Sequence, residues 1–484
     1  MMDMLFSGLS LMPIVLLLAV SLLRGVKAGV YSGLAVTIVL FFVWDSQWRA
    51  LPAALVAAFI DTISILMIVF GALFLHQNME QIGFIDRIKH SLKGIHDDTG
   101  FQFYFLAFFL TAFFESVAGF GTPGAIVPLL LISMGFPPVL SIVIVLLVDG
   151  LFAITGAIGT PVTIGLERTL NLTLHQVKHI YLYASCFMVI SGCMVLFFIQ
   201  RFVNHELPKA SNNSWKLFFS LAVPFICLSF FLQELTGVVA STLMGIFSYF
   251  FLFKNRKIEW MPWIPYAVLL MLLLLPKLFT PLASFISWEW SFNELFNSSV
   301  SASFQPLTSP LVPFIVASFF AIYLSKNFTI SLKPVINKTL AVFLILFPSL
   351  AITQLMLSSG TSMPSMVETM SILFAKAGTV YPLLSPFIGV IGTFITGSTT
   401  VSNIIFGPVQ FSAAENLMLP QEVILAMQLN GASLGNAVCL LNIIAAAAVA
   451  NVKNYTSILK KNILPIVLAS LLTSVGGIFL LTIF

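Results

Sequence analysis

Apolar runs divided by short polar breaks fill nearly the whole chain. They lie at about 8–23, 28–44, 51–76, 177–200, 217–234, 237–253, 263–280, 310–325, 339–357 and 463–484, and most approach or exceed the ~18 residues that mark a membrane-spanning helix. None shows the polar face of a surface helix except Glu80 to Asp98, an amphipathic stretch carrying Arg87, Lys89 and Lys93, and 360–380, which reads as a surface helix. Two further stretches are apolar but interrupted. The first, 101–166, contains Glu115-Ser-Val-Ala-Gly-Phe-Gly-Thr-Pro-Gly124 and, after a turn at Gly135-Phe-Pro-Pro138, Gly156-Ala-Ile-Gly-Thr-Pro161. The second, 381–450, contains Thr396-Gly-Ser-Thr-Thr-Val-Ser-Asn403 and a turn at Leu419-Pro420. Backbone that leaves the helix at membrane depth is tolerated only where protein buries it or it lines a cavity.

Composition agrees with this pattern. Of 484 residues, 59% are hydrophobic and 8% charged, against about 25% charged in soluble proteins, and mean hydropathy is +1.05. The expected class is an all-α polytopic membrane protein. A net charge of +4, spread over short loops, reports orientation rather than nucleic-acid binding. The 4 cysteines, Cys186, Cys193, Cys227 and Cys439, sit in apolar runs without metal spacing and read as small hydrophobes. No basic region precedes the first run and no small-residue cleavage site follows, so it is expected to be a retained span. Trp44 and Trp48 suit an interfacial belt, as do the aromatic and polar residues of 281–309.

Basic residues fix an expected orientation. With Arg24 and Lys27 in the cytoplasm, the basic segments 80–98, 201–216, 254–257, 326–338 and 453–461 fall inside as well, and both termini lie outside. Equivalent spans then run in opposite directions: 8–23 against 263–280, 28–44 against 310–325, 51–76 against 339–357, and 177–200 against 463–484. The predicted organisation is two inverted-topology repeats, 1–205 and 259–484, joined by a linking hairpin of spans, 206–258. Parity requires an odd number of crossings in each interrupted region. Broken helices with re-entrant hairpins whose tips are the glycine breaks satisfy it, as would three full crossings.

Two interruptions in inverted halves are the pattern of a transporter whose site lies between the repeats. A helix that restarts mid-membrane offers backbone N–H groups to an anion. Gly119 and Gly121 permit close approach, with Thr122 beside them, and Ser398, Thr399, Thr400 and Asn403 supply hydroxyls and an amide. Asn430 and Asn436 are expected nearby. The alternative is that small residues merely let helices pack closely. Glu115 is the sharpest residue: an ionised acid at that depth costs about 2.5–3.5 kcal/mol on insertion scales, so it should be neutral, paired or functional. Asp149 shares the first interrupted region and is the second proton-coupling candidate, while Asp61 reads as a packing or vestibule residue.

The 6 histidines lie near span ends without a ligand-like cluster. No nucleophile and base share one depth and no phosphate-binding loop carries a lysine, which leaves an ATP-driven pump or a membrane-embedded enzyme little support. No metal site or cofactor motif is present. The expected partners are a small organic anion, protons and the lipid bilayer. Sodium coupling stays open, because hydroxyls and free carbonyls at helix breaks can coordinate Na⁺.

At these residues the chain resembles the L-lactate permease family, whose members carry E-G-A-A-G-F-G-A-P, then G-A-x-G-x-P, and later F-L-T-G-S-D-T-S-S-N. Here these read Glu115 to Pro123, Gly156 to Pro161 and Phe394 to Asn403, in the same order over nearly the whole length. The resemblance implies proton-coupled symport of lactate or a similar small 2-hydroxy monocarboxylate across the plasma membrane. Another small organic anion, a sulfonate or a neutral polar solute is the alternative within transport. Three positions depart from the family pattern: its aspartate is Thr399, a lysine expected later is Asn436 in Gly435-Asn-Ala-Val-Cys-Leu-Leu441, and an asparagine is Asp149. The first two changes remove a carboxylate partner and its counter-charge, and the third adds an acid.

Overall fold

The computed structural model describes residues 2–92, 94–119, 121–207, 213–254, 258–279, 281, 287–307, 309–327, 330 and 332–483. Phe120, Lys93, Lys209 and the basic 255–257 lie outside the described residues. The described chain is almost wholly helical, and 10 of its helical segments are long and apolar enough to cross a membrane. The protein is thus an all-α polytopic membrane protein. Its one sheet among the described residues is a short antiparallel hairpin, β1 Trp290–Phe292 with β2 Ala302–Phe304, inside the segment expected to be an interfacial loop.

The first helices are α1 (Met2–Arg24), α2 (Val26–Val43), α3 (Ala50–Gln81) and the short amphipathic α4 (Phe84–Leu92). The first interrupted region is α5 (Thr99–Val117), α6 (Thr122–Ser133), α7 (Pro138–Phe152) and α8 (Gly156–Val162), which continues as a π-helical turn Thr163–Arg168. After α9 (Leu174–Glu206) come the hairpin α10 (Ser214–Leu232) and α11 (Thr236–Phe251), then α12 (Ile264–Leu278), α13 (Leu311–Ser325), α14 (Leu332–Leu357) and α15 (Met366–Ala375). The second interrupted region is α16 (Tyr381–Thr396), α17 (Thr399–Asn416), α18 (Gln421–Gly435) and α19 (Leu440–Val449), and α20 (Tyr455–Leu481) closes the chain. Helix, break, helix, turn, helix, break, helix is the order in both interrupted regions.

Local chemistry explains where these helices start and stop. Asp98 caps α5, accepting from the backbone N–H of Gly100 at 2.8 Å and of Phe101 at 3.3 Å. The helix then runs through phenylalanines at helical spacing, with Phe105 and Phe109 stacked at 5.1 Å. It ends where Gly119 takes φ +55° and Gly121 φ +77°, a conformation open to glycine and strained for most side chains. α6 restarts at Thr122 with Pro123 in its first turn. With 12 residues it is only about 18 Å long, short of the ~30 Å hydrocarbon core.

Sequence halves are not the packing units. α3 packs on α13 and α14, and α2 on α14, so spans from both halves form one flank. The interrupted regions pack on each other: α17 meets α8 and its π-helical continuation, and α18 meets α7. The centre lies with α5 and the segment Pro138–Arg168, whose most apolar windows are 94% buried in protein, against 39% for α2 and α20. Ion pairs tie Lys254 to Asp97 at 3.0 Å, Arg87 to Glu259, and Lys461 to Glu206 at 2.6 Å. These pairs join the stretch around α4 to Lys254 and Glu259, and the end of α9 to the start of α20.

Candidate functional site

Breaks from both interrupted regions meet at a cavity of about 50 Å³, lined by Glu115, Gly119, Gly121, Asp149, Gly156, Ala157, Thr160, Ser398, Thr399, Thr400, Asn436 and Asn442, among others. A water occupies about 10–15 Å³ on this measure, so the space suits a solute of a few non-hydrogen atoms. The breaks touch one another: a Cβ on Gly119 would lie 2.9 Å from the Ala157 Cβ and backbone nitrogen. Behind them, Ala157, Ile158 and Gly159 all take left-handed backbone, φ +45°, +54° and +72°. For a β-branched residue such as Ile158 that is a true outlier. It stores strain of about 1–3 kcal/mol per residue, which persists only where the surroundings over-determine it.

The acids come from helix ends. Glu115 lies in the last turn of α5 and Asp149 in the last turn of α7, where backbone carbonyls already concentrate negative partial charge. Both are buried, at 5% and 3% exposure, and their carboxyls lie within hydrogen-bonding reach of each other. Gly156 makes this possible, since a Cβ there would sit 2.4 Å from Glu115 Oε1. No lysine or arginine is among the cavity residues. A unit anion about 4 Å from an ionised carboxylate is repelled by about 4 kcal/mol at an effective dielectric of ~20, roughly a thousandfold in affinity. An anion and an ionised Glu115 therefore exclude one another.

The opposite wall is neutral and hydrogen-bonded. Ser398 caps α17, its Oγ accepting from the Val401 N–H at 3.3 Å. Thr399 Oγ1 donates to the Ala432 carbonyl at 3.3 Å and accepts from Asn436 Nδ2 at 3.1 Å. Thr400 meets Thr160 hydroxyl to hydroxyl at 3.2 Å across the two regions. Thr399 and Asn436, the two positions where charges are missing from the pattern that the chain resembles, are thus bonded to each other.

Three expected residues lie outside the lining. Thr122 is buried in the first turn of α6. Asn403 is one shell back, its Nδ2 donating to the Pro161 carbonyl at 3.0 Å. Asn430 faces α20, its Oδ1 accepting from Thr473 Oγ1 at 2.7 Å. Asp61 accepts from Gln354 Nε2 at 3.4 Å and also stays off the cavity. A larger cavity of about 550 Å³, lined by Ser64, Ile158, Thr163, Glu167, Arg168 and Glu234 among others, begins on the far side of the strained segment. Ala157 faces one cavity and Ile158 the other, so a few residues of backbone divide them.

Comparison with known families decides the kinship of this architecture. The L-lactate permease family model matches residues 7–263 and 270–484. The chain belongs to the L-lactate permease family. It is 26% identical to the putative L-lactate permease of Haemophilus influenzae, with 98% of each chain covered. It is also 26% identical to the L-lactate permease of Streptococcus iniae, over 84% of this chain and 91% of that one. The glycolate permease GlcA of Escherichia coli is 24% identical over 91% and 89%.

In this L-lactate permease family member the structure also assembles residues that sequence reading passed over. Thr160, Asn442 and the backbone of Gly156 line the cavity. A buried amide chain leads to it: Tyr381 Oη donates to Gln410 Oε1 at 2.5 Å, Gln410 Nε2 to Gln428 Oε1 at 2.9 Å, and Gln428 Nε2 to Asn403 Oδ1 at 3.3 Å. Glutamines inside apolar runs were the available signal, because an amide in a membrane helix needs a partner on another helix.

Proposed function

We propose that the chain is a secondary active transporter that carries lactate, or a similar small 2-hydroxy monocarboxylate, together with protons across the plasma membrane, and that it is not an enzyme. The observation that carries this reading is the abutting acid pair, Glu115 and Asp149, in a small cavity without a basic side chain. Such a site admits an anion only when protons neutralise the acids, and a ligand that binds one state alone drags that state's population with it. Binding of anion and proton thereby become linked. Gly119, Gly121, Ser398, Thr399, Thr400 and Asn436 form the substrate wall, with Thr122, Asn403 and Asn430 supporting it from behind. The names of the relatives, lactate and glycolate permeases, agree with a small hydroxy acid.

In this reading the two halves are inverted-topology repeats, both termini lie outside, and the site is reached from alternate sides. The test is uptake of labelled lactate into proteoliposomes holding the purified chain, with pH and Na⁺ gradients imposed separately. Accumulation driven by the pH gradient alone is expected. Accumulation that follows Na⁺ and ignores pH would transfer the coupling to sodium, and no lactate uptake under either gradient would end the proposal.

A further inference from the structure

Away from the acid cavity, the end of α9 and the first turns of α20 enclose a groove of about 580 Å³. Three bases line it, Arg201 from α9 and Lys460 and Lys461 from α20. Lys461 is committed already: its Nζ donates to Glu206 Oε1 at 2.6 Å and lies 5.8 Å from the centre of the Phe202 ring. Arg201 and Lys460 are exposed, and among the described residues no carboxylate pairs with either. Three bases against Glu206 alone leave an excess of positive charge. Thr456 and Ser457 line the groove as well, in the first turn of α20, where backbone N–H groups add positive partial charge. The remaining wall is apolar, built from Phe198, Phe202, Leu464 and Pro465. From Lys460 that wall continues along α20 as a row of exposed residues at helical spacing, Leu464, Val467, Leu471 and Val475. Leu464 to Val475 rises about 16 Å, roughly one leaflet of the ~30 Å hydrocarbon core.

A base at a helix end often does no more than reach for water. Here two helices bring unpaired bases to one groove, beside an apolar strip a leaflet long. That combination fits a molecule with an anionic head and a hydrocarbon tail, and basic pockets between membrane helices do bind acidic lipid headgroups. We propose that this groove binds an anionic phospholipid: its phosphate lies between Arg201 and Lys460, and one acyl chain runs along Leu464 to Val475. The guanidinium of Arg201 supplies a planar fork for two phosphate oxygens and Lys460 a mobile point charge. α9 and α20 both pack on α18, so the lipid also braces the helix that ends beside the acid cavity at Asn436. The inference is independent of what the chain carries.

The experiment titrates the full chain, in neutral detergent micelles, with dioleoylphosphatidylglycerol and reads the melting temperature. A ligand of the folded state raises it in a saturable way. Phosphatidylcholine with the same chains should need at least about tenfold more lipid for the same rise, because its headgroup carries no net charge. Arg201→Gln with Lys460→Gln should move the midpoint of the phosphatidylglycerol titration at least about tenfold upward, each base near an acidic headgroup contributing a few-fold. Arg201→Lys with Lys460→Arg keeps both charges and should stay within about threefold of wild type. Lys333→Gln with Lys338→Gln removes two exposed bases at the start of α14 and should leave the midpoint unchanged. Equal response to the two lipids overturns the assignment, as does a loss in the α14 variant as large as in the groove variant. Glycerol phosphate, which has the head without the tail, should neither stabilise the chain nor compete. Stabilisation by glycerol phosphate at concentrations comparable to the lipid's would make the groove a site for a soluble phosphate and end the lipid reading. No arm measures uptake, so failure here leaves the carrier reading standing.

Discussion

The two interrupted regions share an order of elements and meet at one cavity, yet they bring opposite chemistry to it. The first contributes Glu115 and Asp149 together with left-handed backbone at Gly119, Gly121 and Ala157. The second contributes hydroxyls and amides, and its one left-handed residue at the cavity is Gly397, φ +76°. Burial follows the same division: the apolar windows of α5 and of Pro138–Arg168 are 94% buried, those of Gly378–Thr396 and Gln421–Ala447 are 44% and 72%. The difference teaches which side can change state. Hydroxyls and amides satisfy one another at no net charge and make a stable wall. Two buried carboxyls without a base between them cannot both carry charge cheaply, so the titratable chemistry of the cavity lies in the first region alone.

The sharpest way to break this comparison is to neutralise the first region's acid. Glu115→Gln keeps the shape and removes the titration. Proton-driven accumulation of lactate in proteoliposomes should fall by about a hundredfold or more, the scale of a strong coupling between two ligands, while lactate–lactate exchange persists. Accumulation at the wild-type level would place the coupling elsewhere. A smaller effect should follow from crowding rather than from charge. Gly156→Ala puts a Cβ 2.4 Å from Glu115 Oε1, an overpacking of about 1–3 kcal/mol that displaces the carboxyl and should lower uptake roughly tenfold. The matching change in the second region, Gly397→Ala, strains a left-handed residue by about 1–2 kcal/mol. It should lower the melting temperature more than it lowers the dependence of uptake on pH. If Gly397→Ala damages the pH response more than Gly156→Ala, the division of roles is reversed.

Much of this fold was legible because membrane helices announce themselves by length, and the breaks at Gly119, Gly121 and Gly397 because glycine beside a helix end marks left-handed backbone. What escaped had weaker signals. The second interruption of the second region, Asn436 to Cys439, contains neither glycine nor proline, so its residue types do not mark the point where α18 stops. The β1–β2 hairpin pairs just Trp290–Phe292 with Ala302–Phe304, too few residues for alternation to separate it from a polar loop. At the site, helical phase decided what residue type could not. Gln428 and Asn430 are two positions apart on α18, about 200° around the helix, so one reaches Asn403 near the cavity and the other meets Thr473 on α20. An amide in an apolar run tells that a partner exists, but not on which face.

The mildest of these changes probes the neutral wall itself. Thr399→Val preserves side-chain shape and deletes the hydroxyl that accepts from Asn436 Nδ2 and donates to the Ala432 carbonyl. Both partners are buried, so the loss is the desolvation of groups left unpaired, about 1–3 kcal/mol. The melting temperature should drop, and the KM for lactate should rise several-fold as Asn436 turns to find another acceptor. The number of protons taken up with each lactate should not change, because neither Thr399 nor Asn436 titrates. A change in that number, measured as proton and lactate fluxes in the same vesicles, would show that the wall takes part in coupling. A variant with unaltered KM and unaltered stability would show instead that the Thr399–Asn436 bond contributes nothing to holding the substrate's side of the cavity in place.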